Sequence, residues 1–311
     1  MAAKKTAAKR AANKNGGGAK PTDESALTTT REDDADLPAE FMDMVEEDGA
    51  EDAVLGKDDL AIPRMVIIQA LSEAVKPAKG GYIPEASVGQ IYDGISGAEG
   101  LHDGDEGIYV IPLTYRRTII EWRKRELGGG FIADLGLDFD ISANTVRDEK
   151  RRDVIIPEGE SGAPGETHAV MTAEYICFLV DRESGDFKPV IISMTSTQLK
   201  KSRAWNSISD AYRVKRTDGK GTFNPKRYFL FFHLTTVPES NQEGDWMGWR
   251  VTKRGKTMNL PNGSSIYAAA KKFRADIEAG AVEIKPPSDD GGSGGSGGSF
   301  TPAEDDATDA M

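Results

Sequence analysis

Charge and apolar bulk are segregated along this chain, and the segregation decides which residues can build a core. Residues 1–20 (MAAKKTAAKRAANKNGGGAK) hold six Lys or Arg and no acid. Residues 31–60 carry thirteen acids against Arg31 and Lys57, and residues 286–311 carry six acids and no base. With Asp23 and Glu24 counted, the net charge of −12 belongs to the ends, and residues 61–285 come to +1. Segments so poor in large side chains cannot offset the entropy of ordering them. The sequence therefore predicts a disordered N-terminal extension over 1–60, a folded core over 61–285, and a flexible Gly/Ser linker with an acidic tail over 286–311. Within the extension, residues 37–45 have the pattern of a short amphipathic helix.

The core reads as strands. Residues 107–122 (GIYVIPLTYRRTIIEW) are a long β-branched and aromatic run, in which Pro112 implies a sheet edge or a bulge. Shorter strands are predicted at 62–69 and 88–92. Residues 127–165, rich in Gly, charge and turn signals, read as an inserted loop. Strands at 170–181 and 187–194 flank a turn and form a hairpin. Thr195 or Ser196 is placed to cap a helix over 197–215, where Leu199, Trp205, Ile208, Ala211, Tyr212 and Val214 recur near helical spacing. Strands at 228–237 and 245–252 and a helix at 264–279 complete the core. Three strands, a helix and two strands is the order of an OB-fold barrel. The expected fold class is thus mainly β (α+β): an elaborated five-stranded OB-like barrel with a helix between strands 3 and 4, a C-terminal helix and disordered tails.

Several chemistries find no support. A single cysteine, Cys177, excludes an intrachain disulfide and a cysteine-based zinc site. In the run 175–180 (YICFLV) it reads as a buried small hydrophobe. His102, His168 and His233 are far apart, and no HExxH, P-loop, GxGxxG or GxSxG spacing occurs. The sequence points to no enzyme, no metal and no cofactor. No apolar stretch approaches the ~20 residues that span a bilayer, and no apolar segment follows the basic N-terminus. A cytoplasmic protein without membrane association is the expectation.

Positive charge clusters inside the neutral core. Residues 199–230 come to +7, through Lys200, Lys201, Arg203, Arg213, Lys215, Arg216, Lys220, Lys226 and Arg227 against Asp210 and Asp218. Residues 115–125 and 250–256 come to +4 each. Tyr115, Trp122, Trp205, Tyr212, Phe223, Tyr228, Trp246 and Trp249 interleave with these clusters. Cations that track phosphates, beside rings that stack on unpaired bases, are what a single-strand site needs. The bland alternative is a solvated helix face and core aromatics, and Trp205, Ile208, Phe229 and Phe231 read as core. On the last hairpin, Trp246 and Arg250 share one face and Trp249 and Val251 the other. The candidate phosphate ligands are Lys200, Lys201, Arg203, Arg213, Lys215, Arg216, Arg116, Arg117, Arg250 and Lys253. The candidate stacking residues are Tyr115, Trp122, Tyr212 and Trp246. The tail residues Phe300, Glu304, Asp305, Asp306 and Asp309, tethered by the Gly/Ser linker, are placed to compete with phosphate for such a groove; the alternative is a solubility tail.

The stretch 194–207 (MTSTQLKKSRAWNS), the strand pair at 228–236 and 246–252, and the acidic tip together resemble the bacteriophage single-stranded DNA-binding proteins of the T7-like type. The likeness covers residues 105–311 and is one of pattern. The chain departs from the family in its long charged N-terminal extension. It also ends in Ala310-Met311, where such tails end in an aromatic residue. The resemblance implies sequence-tolerant binding and protection of single-stranded DNA in replication or recombination. It further implies replication or recombination proteins as partners of the tail, and a possible homo-oligomer. The alternative reading is a phage structural or scaffolding protein whose tails mediate assembly.

Overall fold

The strands in chain order are β1 (Arg64–Ile67), β2 (Ile91–Asp93), β3 (Leu101–His102), β4 (Ile108–Arg123), β5 (Phe131–Asp134), β6 (Thr145–Arg147), β7 (Asp153–Ile155), β8 (Thr167–Val180), β9 (Phe187–Thr195), β10 (Val214–Lys215), β11 (Thr222–Phe223), β12 (Leu230–Asn241) and β13 (Gly244–Lys256). The helices are α1 (Ile141–Asn144), α2 (Gln198–Ala211) and α3 (Gly263–Glu278). The structure is a computed structural model and describes residues 62–158, 165–241, 244–282 and 284. The expectations for residues 1–60, including the helix at 37–45, and for the tail at 286–311 lie outside the described residues.

The two longest apolar runs pair with each other. β4 and β8 are antiparallel from Val110 opposite Leu179 to Arg123 opposite Thr167, and the register shifts between Pro112 and Thr114. Pro112 has no N–H to give to a ladder, so the expected bulge sits where the backbone chemistry requires it. Because these strands outrun their neighbours, each of their outer edges is shared. β4 pairs with β12 through Ile108–Val110 and with β5 through Ile120–Trp122. β8 pairs with β9 from Thr172 onward and with β7 at His168 and Ala169. The main path runs β13-β12-β4-β8-β9-β1-β2-β3, antiparallel throughout except for β1 against β9. It curls into a half-barrel with a core on each face.

On the inner face, Tyr175, Cys177, Ile192, Phe232 and Trp249 pack around Trp205 of α2. On the outer face, Ile176, Phe178, Val180, Ile111 and Leu113 pack against Ile266 and Ala270 of α3. Alternate residues of a strand point to opposite faces. The run 175–180 is apolar throughout because both of its faces are covered. Cys177 is fully buried as expected, and burial pushes its thiol up, which keeps it protonated and inert.

Side chains tie the ends of the curl together. β1 approaches β13, and Gln69 bridges the gap. Its Nε2 donates to the Met247 carbonyl at 2.8 Å and its Oε1 accepts from the Met247 N–H at 2.9 Å, so one primary amide replaces a length of strand. Gln198, at the start of α2, accepts from the Trp249 N–H at 2.9 Å. A buried charge joins β1, β4, β8 and β9. The Glu174 carboxylate is 0 % exposed; it accepts from Arg116 Nε at 2.6 Å and pairs with Arg64 Nη1 at 2.5 Å, while Arg64 also donates to Ser193.

Four expectations need correction. The region 127–165 is more than a loop: β5, α1, β6 and β7 lie in it, and β5 and β7 extend the main sheet. Strands of three or four residues are too short to show a period. The second helix ends at Ala211 rather than near 215, because Tyr212 is extended and Val214 and Lys215 pair with Phe223 and Thr222. Thr197, not Thr195 or Ser196, occupies the N-cap position, and it makes no side-chain cap bond. Finally, Ile208 is 37 % exposed, since Ser202, Trp205 and Ser209 form the buried stripe of α2 and Ile208 falls beside it.

Removing the Glu174 carboxylate takes the buried charge partner from Arg64 and leaves Arg116 with Asp134, a change that costs about 3 kcal/mol. Glu174→Ala is therefore expected to lower the unfolding free energy from urea titration by that amount, measured against wild type at neutral pH. A loss below about 1 kcal/mol would contradict the role assigned to this network.

Candidate nucleic-acid interface

Cations that form no ion pair among the described residues line α2 and the segment after it. Its exposed stripe carries Lys200, Arg203 and Ser207 at helical spacing, and Asn206 at the border of the stripe accepts from Arg227 at 2.7 Å. After Ala211 the chain leaves the body as a two-stranded β-arm, with Val214 opposite Phe223 and Lys215 opposite Thr222. Gly219, at φ 72°, makes the turn in the left-handed region that glycine enters without strain. The Asp210 carbonyl anchors both ends of the arm by accepting from Arg213 and Asn224. Arg213, Lys215, Arg216 and Lys220 are all exposed.

Beneath the arm lies the rim of the inner face. Tyr115 packs on Tyr175 with ring centroids 5.0 Å apart, and Tyr175 stacks on Trp205 at 4.0 Å. The Arg227 guanidinium stands 5.4 Å above the Tyr115 ring. Arg117 lies two residues further along β4, on the Tyr115 side of the strand, and is exposed. Tyr212 packs on Phe229 at 5.9 Å, and Lys253 of β13 lies 5.0 Å above the Tyr212 ring. Lys253 pairs with Phe232 across β12 and so shares the inner face with it. Among the described residues, Lys200, Arg203, Arg213, Lys215, Arg216, Lys220, Arg227, Arg117 and Lys253 form no ion pair within 4 Å.

Other candidates are engaged elsewhere. Arg116 is committed to Glu174 and to Asp134. Lys201, one residue from Lys200, points away from it, because adjacent helix residues do not face each other. It pairs with Glu239, which also accepts from the Trp246 indole N–H at 2.9 Å and from Gln198 at 2.9 Å. Trp246 is half-buried in this cluster, whereas Arg250 is exposed beside Thr235 on the opposite face from Lys253. Trp122 stands seven residues along β4 from Tyr115, about 23 Å away, and meets Phe131 edge-on. Phe300, Glu304, Asp305, Asp306 and Asp309 lie outside the described residues.

Arg227 and Phe223 belong to this surface though neither stood among the selected candidates. Their membership in the +7 segment was the available signal; their contacts depend on a turn and an arm that only the fold reveals. Among the described residues, no cluster of three or more His, Cys, Asp or Glu is placed to hold a metal ion, and no helix is long and apolar enough to cross a membrane. The arrangement offers a row of cations beside aromatic rings, suited to an extended polyanion with planar groups.

The family described as Pam3 phage gp34-like protein matches residues 29–283 of the chain. No curated protein and no solved structure matches it.

Burial raises the pKa of Glu239, but Lys201, the Trp246 indole and Gln198 outweigh that and hold the carboxyl below its ordinary 4.5. A depressed folded pKa contributes stability that is present above the unfolded value and lost as pH falls through the folded one. Glu239→Gln keeps a neutral acceptor and loses the charge. It is expected to be less stable than wild type at neutral pH, with the difference in urea midpoints shrinking as the pH drops below the ordinary 4.5. A difference that stays constant across that range would contradict the assignment.

Proposed function

The chain belongs to the Pam3 phage gp34-like family, and for it we propose sequence-tolerant binding of single-stranded DNA, without catalysis, along the rim of the inner face and the β-arm. One observation carries the reading: Arg227 stands over Tyr115 and Lys253 over Tyr212, and neither cation has a carboxylate partner among the described residues, as is also true of the exposed cations of α2 and the arm. Unpaired cations at a surface raise the local potential and attract a polyanion. A single strand follows a row of cations while its bases reach rings, and this recognition tolerates any sequence.

Supporting the OB-like reading, β4, β8, β9, α2, β12 and β13 follow one another in the chain as three strands, a helix and two strands, with β5–β7 and β10–β11 inserted. In this reading Gln69 and Gln198 substitute for the closing strand pair. Arg117, Lys200, Arg203, Arg213, Lys215, Arg216 and Lys253 contact phosphates. Arg116, Lys201 and Trp246 serve the scaffold. The acidic tail, including Phe300, Glu304, Asp305, Asp306 and Asp309, competes for the same rim and, when DNA displaces it, recruits replication or recombination proteins.

Fluorescence anisotropy of a labelled single strand of about 30 nucleotides tests this with the full chain. Each phosphate held contributes about −0.7 to the slope of log K against log salt, so seven contacts predict a slope near −5. Arg203→Glu and Lys253→Glu are each expected to weaken binding about tenfold on every sequence and to flatten the slope by about one contact. Lys271→Glu, the same charge change on the exposed side of α3, is expected to leave affinity unaltered. Absence of single-strand binding, or equal loss from all three variants, would reject the proposal; a large homo-oligomer with no nucleic-acid affinity would favour a phage structural or scaffolding role.

A further inference from the structure

We infer that Phe223 of the β-arm is the ring that makes the surface prefer unpaired bases, an inference that rests on the reading of this face as a nucleic-acid interface. The other candidate rings have little free face to offer. Tyr115 and Tyr212 are half-buried against the inner core, Trp122 meets Phe131, and Trp246 is bonded to Glu239. Phe223 is 41 % exposed and stands on an arm whose residues from Lys215 to Asn224 are all exposed.

Register explains how the ring is presented. Val214 is opposite Phe223, so Arg216, two residues on, falls on the same face as a diagonal neighbour. The Arg216 guanidinium lies 5.7 Å from the centre of the Phe223 ring. The guanidinium lies over one face of the ring, so the couple presents a cation and an aromatic surface together at the exposed arm. In a duplex both faces of each internal base are stacked on neighbours and closed to a side chain. A ring contact therefore adds affinity only for a strand whose bases are free, while the lysines and arginines attract either form. The arm is held for this role at its base, where the Asp210 carbonyl accepts from Arg213 and Asn224.

The test uses the full chain carrying Phe223→Leu, Phe223→Ala or Phe223→Trp, with a labelled oligo(dT) strand and its duplex with oligo(dA). Leu and Ala are expected to lower single-strand affinity about tenfold and leave duplex affinity unchanged, so that the preference collapses. Trp is expected to restore the preference, and its added emission over wild type should be quenched by the single strand and not by the duplex. If wild type binds the single strand and the Leu variant binds it equally well, or if both forms weaken together, the inference is overturned while the proposed function stands. If wild type binds no single strand, the proposed function falls and the inference with it.

Discussion

The antiparallel pairing of β4 with β8 is the constraint on which the rest of this structure depends. Both strands are longer than any partner available to them, so each free edge must be divided between two neighbours. One half of the pair belongs to the curled sheet, where β12 and β9 flank it. The other half extends past that sheet and is covered by β5 and β7. A strand that switches partners midway has to bend, and the shift at Pro112 supplies an interruption in the ladder. The curl leaves a space between β1 and β13 that no strand of the described residues fills. Gln69 and Gln198 satisfy the backbone groups of Met247 and Trp249 there, which are otherwise left as an unpaired sheet edge.

That scaffold accounts for where the charges go. In the scaffold, arginine and lysine neutralise carboxylates that the fold has buried or half-buried: Arg64 and Arg116 on Glu174, Lys188 on Asp93, Lys201 of α2 on the half-buried Glu239. At the end of α2 and on the arm, the cations have no such duty. The division separates structural from available positive charge more sharply than net charge does, since the described core is close to neutral and still has a strongly basic rim. Phe223 and Arg216 belong to this available set and are exposed on the arm, whereas Tyr115 and Tyr212 are half-buried.

Long-range order was legible where a run was long and covered on both faces. Residues 107–122 and 170–181 announced β4 and β8 within a few residues, and Cys177 announced its burial through its apolar neighbours. Tertiary context overrode local signals elsewhere. The helix expected to reach 215 stops at Ala211 because Val214 and Lys215 find partners across the arm. The short strands at 131–134 and 153–155 owe their existence to the edges of β4 and β8, not to their own composition. At the candidate site, the sequence located the basic segment and could not separate neighbours within it. Lys200 and Lys201 look alike in a row of letters, yet one faces solvent and the other reaches Glu239. Arg116 and Arg117 divide in the same way, because successive strand residues face opposite sides.

The most direct test of the account is ultraviolet cross-linking of the full chain to oligo(dT), followed by identification of the linked peptides. The account predicts cross-links on the segment from Tyr212 to Phe229, which holds the arm and the turn beneath it, and around Tyr115. It also predicts that these cross-links diminish as salt is raised, because the phosphate contacts that hold the strand weaken with salt. Cross-links confined to the α3 side of the sheet, or none that respond to salt, would contradict it.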